Sequence, residues 1–147
     1  MRRVRAFSLL EFMIVIAIFG LLATVATTSF SRLTRTQTVD KTALSVIALL
    51  HEARSQAVSS KNATSSGVRI FSDKTVSFTG AYGTNNRTYT IPQTVRISTS
   101  TGIGTDIRFA NVTGLSSASG TLTVYLVSDT AVSSTIRVFS SGAVEKQ

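Results

Sequence analysis

The side chains that could carry chemistry are few and scattered along the chain. The sequence has seven acidic residues, a single histidine, His51, and no cysteine. Without cysteine there can be no disulfide, thiolate metal site or cysteine nucleophile, and one imidazole alone is a poor metal site. No two acids have a spacing that indicates paired acid and base catalysis. The segment from Gly102 to Gly104 is typical of a turn rather than of a phosphate-binding loop. We therefore expect no enzyme, no bound metal and no cofactor.

One acid stands out because of its surroundings. Glu11 precedes an almost wholly apolar run from Phe12 to Ala26, and no charged residue occurs between Glu11 and Arg32. A carboxylate at the edge of an apolar helix is costly to bury unless it finds a partner. A chain that packs beside copies of itself can supply that partner, because the neighbour's terminal ammonium has the opposite charge.

The residues around Glu11 predict a helix of membrane-spanning length. The 20 uncharged residues between Glu11 and Arg32 would span about 30 Å as a helix, close to the thickness of a bilayer core. Three arginines lie within the first five positions, which places the N-terminus in the cytoplasm and the rest of the chain outside. These patterns leave three alternatives: a secretory signal peptide cut near residues 23–27, a plain anchor, or a helix that assembles through Glu11.

A short motif joins the basic start to the apolar run. It reads Arg5-Ala6-Phe7-Ser-Leu-Leu-Glu11, and it resembles the leader and first helix of type IV pilins and type II secretion pseudopilins. The resemblance implies that a prepilin peptidase cleaves between Ala6 and Phe7 and that Phe7 is then N-methylated. It also implies that Glu11 pairs with the N-terminus of an adjacent subunit. Two features depart from the family pattern: Ala6 replaces the usual glycine, and residues 26–29 lack the proline at which this helix often kinks.

A second, amphipathic stretch follows the apolar run. Between Val39 and Val58, apolar residues recur at three- and four-residue spacing with polar residues on the other faces, which indicates a helix packed on one side. We predict one continuous helix from Phe7 to about Lys61, whose second half lies on a sheet.

The remainder of the chain has the pattern of a β-domain. Its segments alternate apolar with polar residues or are rich in β-branched residues. Seven strands are predicted: Val68–Phe71, Thr75–Thr79, Thr88–Ile91, Val95–Ser98, Asp106–Phe109, Thr121–Val127 and Thr135–Phe139. They predict one or two antiparallel sheets packed on the helix.

The expected fold class is therefore α+β, a long N-terminal helix packed on an antiparallel β-domain. Four parts are predicted along the chain: a leader at 1–6, a membrane-spanning and assembly half of the helix at 7–31, an amphipathic half at 32–62, and a periplasmic or extracellular β-domain at 63–147.

Two later segments also resemble one branch of the family. Leu50–Val58 and Ile136–Val144 look like the end of the helix and the last hairpin of GspH/FimT-like minor pilins. The resemblance implies a minor pilin or pseudopilin, held in the inner membrane by one span and assembled into a pilus or a type II secretion pseudopilus. The implied partners are other subunits, the prepilin peptidase and the inner membrane. The alternative is a filament-tip protein that binds DNA, a surface or secreted cargo.

The basic residues of the β-domain are dispersed. The net charge is +8, which could attract nucleic acid or anionic lipid. A nucleic-acid-binding arm usually shows a dense basic run, whereas here single basic residues stand among Thr and Ser: Arg69, Lys74, Arg87, Arg96, Arg108 and Arg137. This pattern favours an ordinary soluble surface, and a contiguous basic patch in the folded domain would instead favour DNA binding.

Overall fold

One long helix is followed by eight strands in the part of the chain that the structure describes. The computed structural model describes residues 8–59, 65–80 and 86–147, without the side chains of 25–31. The elements are α1 (Leu9–Val58), β1 (Ser66–Ile70), β2 (Lys74–Thr79), β3 (Arg87–Thr90), β4 (Val95–Thr99), β5 (Asp106–Phe109), β6 (Gly120–Leu126), β7 (Asp129–Val138) and β8 (Val144–Lys146). The predicted class, a long helix with an antiparallel β-domain, is confirmed.

The chain divides into two compact units, residues 1–34 and residues 35–147. In the second unit, the part of α1 that it contains is buried along one face. Leu50 and Val46 are fully buried there, and small residues such as Ala43 and Ala53 allow neighbouring elements to approach closely. Complete burial of a leucine side chain contributes about 2–3 kcal/mol to folding. The stripe predicted from the spacing is therefore confirmed, and its members are Val39, Ala43, Val46, Leu49, Leu50, Ala53 and Ala57.

The strands form two four-stranded antiparallel sheets. The first sheet has the order β3-β2-β1-β5, and the second has the order β4-β6-β7-β8. The inward side chains of both sheets, such as Ile70 and Phe109 from the first and Leu122 and Ile136 from the second, join the buried stripe of α1 in a single core. This arrangement explains the alternating sequence pattern of strands such as β4, β5 and β6, because each of them has one face in that core.

Two strands differ from the sequence-based prediction. Strand β7 begins at Asp129 rather than at Thr135, and the last strand, Val144–Lys146, was not predicted. The first half of β7 is largely exposed and polar, so it carries little hydrophobic signal. Its pairing with β6 across a tight turn extends it nevertheless. The three residues of the last strand are too few to show a period.

Two glycines close the C-terminal end of α1. The amide of Val112 donates to the carbonyl of Ala57 at 3.0 Å, so the loop after β5 caps the helix. Gly114 and Gly142 both have left-handed backbone angles, with φ of 65° and 78°. A Cβ on Gly142 would lie 2.0 Å from the carbonyl oxygen of Gly114 and 2.9 Å from Nε of Arg54. The loops that contain Gly114 and Gly142 can therefore approach each other beside Arg54 only because glycine has no side chain.

In the described residues, no helix has both the length and the apolar character needed to cross a membrane. The membrane-spanning segment predicted at 7–31 is thus not confirmed by the structure.

We predict that Gly142→Ala destabilises the β-domain more than Gly104→Ala. Both glycines have positive φ, but a Cβ on Gly104 would meet nothing within 4 Å. Backbone strain alone should cost Gly104→Ala about 1–2 kcal/mol, whereas Gly142→Ala must also displace backbone and should cost about 3 kcal/mol or more. Urea unfolding of the full chain in detergent, followed by near-UV circular dichroism, gives both values. Equal losses would contradict the close approach of the two loops.

Candidate functional site

The first unit presents an apolar surface on every side of the helix. Its large apolar side chains between Leu9 and Leu22 are 41–79 % exposed. A helix that is apolar all round is normally buried, either in a protein core or in a membrane, and an exposed apolar area of this extent marks a surface that binds something. The exposed side chains are Leu9, Leu10, Phe12, Met13, Ile14, Val15, Ile16, Ile18, Phe19, Leu21 and Leu22.

Glu11 lies in the first turn of this helix. Its neighbours Leu10 and Phe12 are 68 % and 60 % exposed, so any partner that covers them also brings Glu11 out of water. The positive end of the helix dipole stabilises a carboxylate here by only about 0.3–1 kcal/mol, which is small beside the several kcal/mol needed to desolvate an ion. No ion pair to Glu11 forms among the described residues. Once a partner covers this part of the helix, Glu11 therefore requires a cation from outside the described residues.

The other predicted site residues, Ala6 and Phe7, lie outside the described residues. Cleavage between them and methylation of Phe7 therefore remain predictions from the sequence. The backbone of α1 is regular from its first turn, since the amide of Phe12 donates to the carbonyl of Ser8 at 3.2 Å.

In the second unit, polar contacts fix how α1 lies on the sheets. Nζ of Lys146 is 2.8 Å from Oδ1 of Asp40, and Nη1 of Arg87 is 3.2 Å from Oε1 of Glu52. Pairs this exposed contribute about 0–1 kcal/mol each, so they specify orientation more than stability. The partners are far apart in sequence, and no pattern in the sequence alone could have paired them.

A third ion pair joins neighbouring strands of the first sheet. Arg69 on β1 donates from Nε and Nη2 to the two carboxylate oxygens of Asp106 on β5, in the two-point geometry that suits a guanidinium and a carboxylate. The hydrogen bonds from Arg69 lower the pKa of Asp106, and the nearby charges of Arg69 and Arg108 act in the same direction against partial desolvation.

The six dispersed basic residues each make a contact inside the domain. Arg69 and Arg87 pair with acids, and Arg96 donates to the carbonyls of Gln93 and Val95 at 3.1 and 2.9 Å. The other three lie over aromatic rings at 5.0–5.3 Å from the ring centre: Lys74 over Phe71, Arg108 over Phe78 and Arg137 over Phe139. These local contacts fit dispersed surface charge rather than one basic patch.

His51 is exposed on α1 beside a shallow cavity that is also lined by Arg54, Ser55, Val58 and Ser59. Among the residues whose positions are described, no group of three potential ligands could hold a metal ion.

Comparisons with known proteins agree with this picture at both ends of the chain. Residues 1–27 match a family model described as the prokaryotic N-terminal methylation motif. Two crystal structures of the type IV minor pilin FimU from Pseudomonas aeruginosa strain PAO1 have a similar fold, both at 14 % sequence identity. The crystal form in space group P65 gives a TM-score of 0.60 and covers 74 % of this chain and 91 % of that chain. The form in space group P21 gives 0.61 and covers 74 % and 87 %. No curated protein matches the chain.

The match at residues 1–27 and the similarity in fold both agree with the resemblance to type IV pilins drawn from the sequence. The fold of this chain is similar to the fold of FimU. The likeness concerns the fold, and the roles of individual residues follow from their own geometry.

We predict that the Asp106 ion pair makes stability depend on acidic pH. Because the pKa of Asp106 is lowered in the folded chain, its contribution is present above the unfolded value of about 3.9 and is lost as pH falls through the lower folded value. Urea midpoints measured between pH 7 and pH 2 should therefore fall less steeply for Asp106→Asn than for the wild type.

The matched control is Asp73→Asn. Asp73 is an exposed aspartate in the turn before β2, and it forms no ion pair among the described residues. In this control, the urea midpoint should fall with pH as steeply as in the wild type. An equally steep fall for Asp106→Asn would contradict the contribution assigned to the Asp106 ion pair.

Proposed function

We propose that this chain is a non-enzymatic structural subunit of a type IV pilus-like filament, made as a prepilin. The observation that carries the proposal is Glu11, a carboxylate in the first turn of a helix whose surrounding apolar side chains are exposed. Neighbouring subunits would cover those side chains, and the terminal amine of Phe7 in one of them would neutralise the carboxylate. This pairing supplies the cation that the position needs.

The leader gives the proposed order of events. The basic start of the chain holds the N-terminus in the cytoplasm, and the apolar run from Phe12 to Ala26 keeps the subunit in the inner membrane with its β-domain outside. A prepilin peptidase then cuts between Ala6 and Phe7, and the new amine of Phe7 is methylated. The match to the N-terminal methylation motif supports this processing.

The subunit is proposed to be a minor one, in a pilus or in a type II secretion pseudopilus. The similarity of its fold to a minor pilin supports this assignment. Binding of DNA is the less favoured role, because the described basic side chains make local contacts with acids, carbonyls and rings.

We predict that the mature chain begins with N-methylated Phe7. Intact-mass and N-terminal peptide mass spectrometry of the chain, purified from a cell that contains a prepilin peptidase, should show the loss of residues 1–6 and the addition of one methyl group. The same chain from a peptidase-deficient strain is the control and should keep its leader. A start near residue 25 would instead identify an exported β-domain cut by a signal peptidase.

We further predict that Glu11→Gln blocks assembly but not folding. An unpaired terminal amine left inside the filament costs about 3–5 kcal/mol, so incorporation into sheared filaments should fall by at least about tenfold, while the amount of subunit in membranes stays unchanged.

The control for this experiment is Glu145→Gln. It removes the same charge from an exposed position on the last strand, and it should assemble like the wild type. Normal incorporation of Glu11→Gln would show that Glu11 needs no cation and would overturn the proposed pairing.

A further inference from the structure

A shallow cavity lies at one end of the second sheet. It has a volume of about 310 Å³ and is formed where β4 ends, β6 begins and β7 ends. Its lining combines four hydroxyl groups with one guanidinium and one aromatic ring: Ser100, Ser119, Thr121, Ser140, Arg137 and Phe139. Pockets of about 300 Å³ are at the lower end of the range for small-molecule sites, so the cavity suits one small ligand.

Strand pairing brings these groups together. Thr121 on β6 lies directly opposite Arg137 on β7 in the antiparallel register, so both side chains lie on the same face of the sheet. The amide of Ser100 donates to the carbonyl of Thr121 at 2.9 Å, and Oγ of Ser100 accepts the amide of Thr121 at 3.0 Å. Because a hydroxyl accepts and donates at once, the proton of Ser100 is left to be donated elsewhere.

A glycine makes room for the Ser100 hydroxyl. A Cβ on Gly120 would lie 2.6 Å from Oγ of Ser100. Any larger residue at this position would push the hydroxyl away from the amide of Thr121. The cavity therefore depends on a specific close approach and not only on a gap between loops.

Arg137 lies beside an aromatic ring and is not paired with an acid. Its guanidinium carbon is 5.1 Å from the centre of the Phe139 ring, a contact that leaves the positive charge in place. Glu145 is opposite Arg137 in the pairing with β8, yet no acid forms an ion pair with Arg137 among the described residues. A guanidinium in this position is suited to bind an oxyanion at two points.

We propose that this cavity binds an anionic sugar unit, with the oxyanion on Arg137 and the sugar hydroxyls on the Ser and Thr side chains around it. A single cation and the small volume suit one charged sugar rather than a chain of phosphates, which would need several cations along a groove. The carboxylate of a uronic acid and the phosphate of a sugar phosphate present the same chemistry to Arg137. The proposal goes beyond filament assembly and does not depend on it, because the cavity lies entirely in the second unit.

The test is a calorimetric titration of the full chain in a detergent without a sugar head group. The probes are glucuronate, glucose 6-phosphate, glucose and inorganic phosphate. We expect saturable binding of at least one of the two charged sugars, and binding at least about tenfold weaker for glucose and for inorganic phosphate, since each lacks half of the contacts. The comparison of glucuronate with glucose 6-phosphate identifies the source of the oxyanion.

Two arginine variants separate the site from general charge. Arg137→Gln should weaken binding of the charged sugar by at least about tenfold. Arg96→Gln removes another positive charge from the same sheet, where the guanidinium is held by carbonyls of Gln93 and Val95, and it should bind like the wild type. Arg137 is exposed, so its replacement should leave the circular dichroism spectrum unchanged.

Thr121→Val tests the hydroxyl contacts independently of the charge. It should weaken binding of the charged sugar while inorganic phosphate binds as before. The proposal is overturned if neither charged sugar binds, if inorganic phosphate alone binds as tightly, or if Arg96→Gln loses as much affinity as Arg137→Gln.

Discussion

Burying an apolar helix is favourable, but burying a carboxylate with it requires a cation. Glu11 meets this constraint more sharply than any other acid whose side chain is described. It stands in the first turn of α1 between apolar side chains that are themselves exposed. Covering those side chains gains hydrophobic free energy only if the desolvation of Glu11 is offset at the same time. A partner that brings both apolar surface and a positive terminus would satisfy the two demands together, and this is the partner that we propose in a neighbouring subunit.

Three acids of the second unit are paired with cations from the chain itself. Asp40, Glu52 and Asp106 each have a basic partner within the second unit. These pairs form where the apolar stripe of α1 and the strands have already been brought together by the core. In the β-domain, the ion pairs thus form between elements that the apolar core has already brought together. At Glu11, by contrast, the carboxylate restricts which partners can cover the helix, because it must be paired with a cation.

Elements whose apolar residues recur at a regular spacing could be predicted from the sequence. The buried stripe from Val39 to Ala57 follows the helical spacing, and strands such as Asp106–Phe109 follow the alternation of the sheet. Glu11 was also proposed from the sequence as a site residue, because an acid beside a long apolar run differs sharply from its neighbours, and its role stays a prediction. The first half of β7 was missed because its residues are mostly exposed and show no clear alternation, and pairing with β6 extends it regardless of pattern.

Contacts between distant residues were beyond prediction for a different physical reason. The pairing of Lys146 with Asp40, or of Arg87 with Glu52, depends on where a strand crosses the helix, and that crossing is set by the shape of the whole core. The meeting of Gly114 and Gly142 over Arg54 has the same origin. From the sequence alone, each of these glycines indicates only a turn.

The basic side chains of the β-domain differ in how far their charge is compensated. Arg69 and Arg87 are neutralised by acids, and Arg108 lies over Phe78 close enough to Asp106 to lower its pKa. Stacking on a ring leaves a cation's charge available, as for Lys74 and Arg137. Of these two stacked cations, Arg137 is the one that lines the hydroxyl-rich cavity. A dispersed distribution of charge is therefore compatible with the anion site that we propose, because specificity would come from a single guanidinium beside several hydroxyl groups rather than from the total charge.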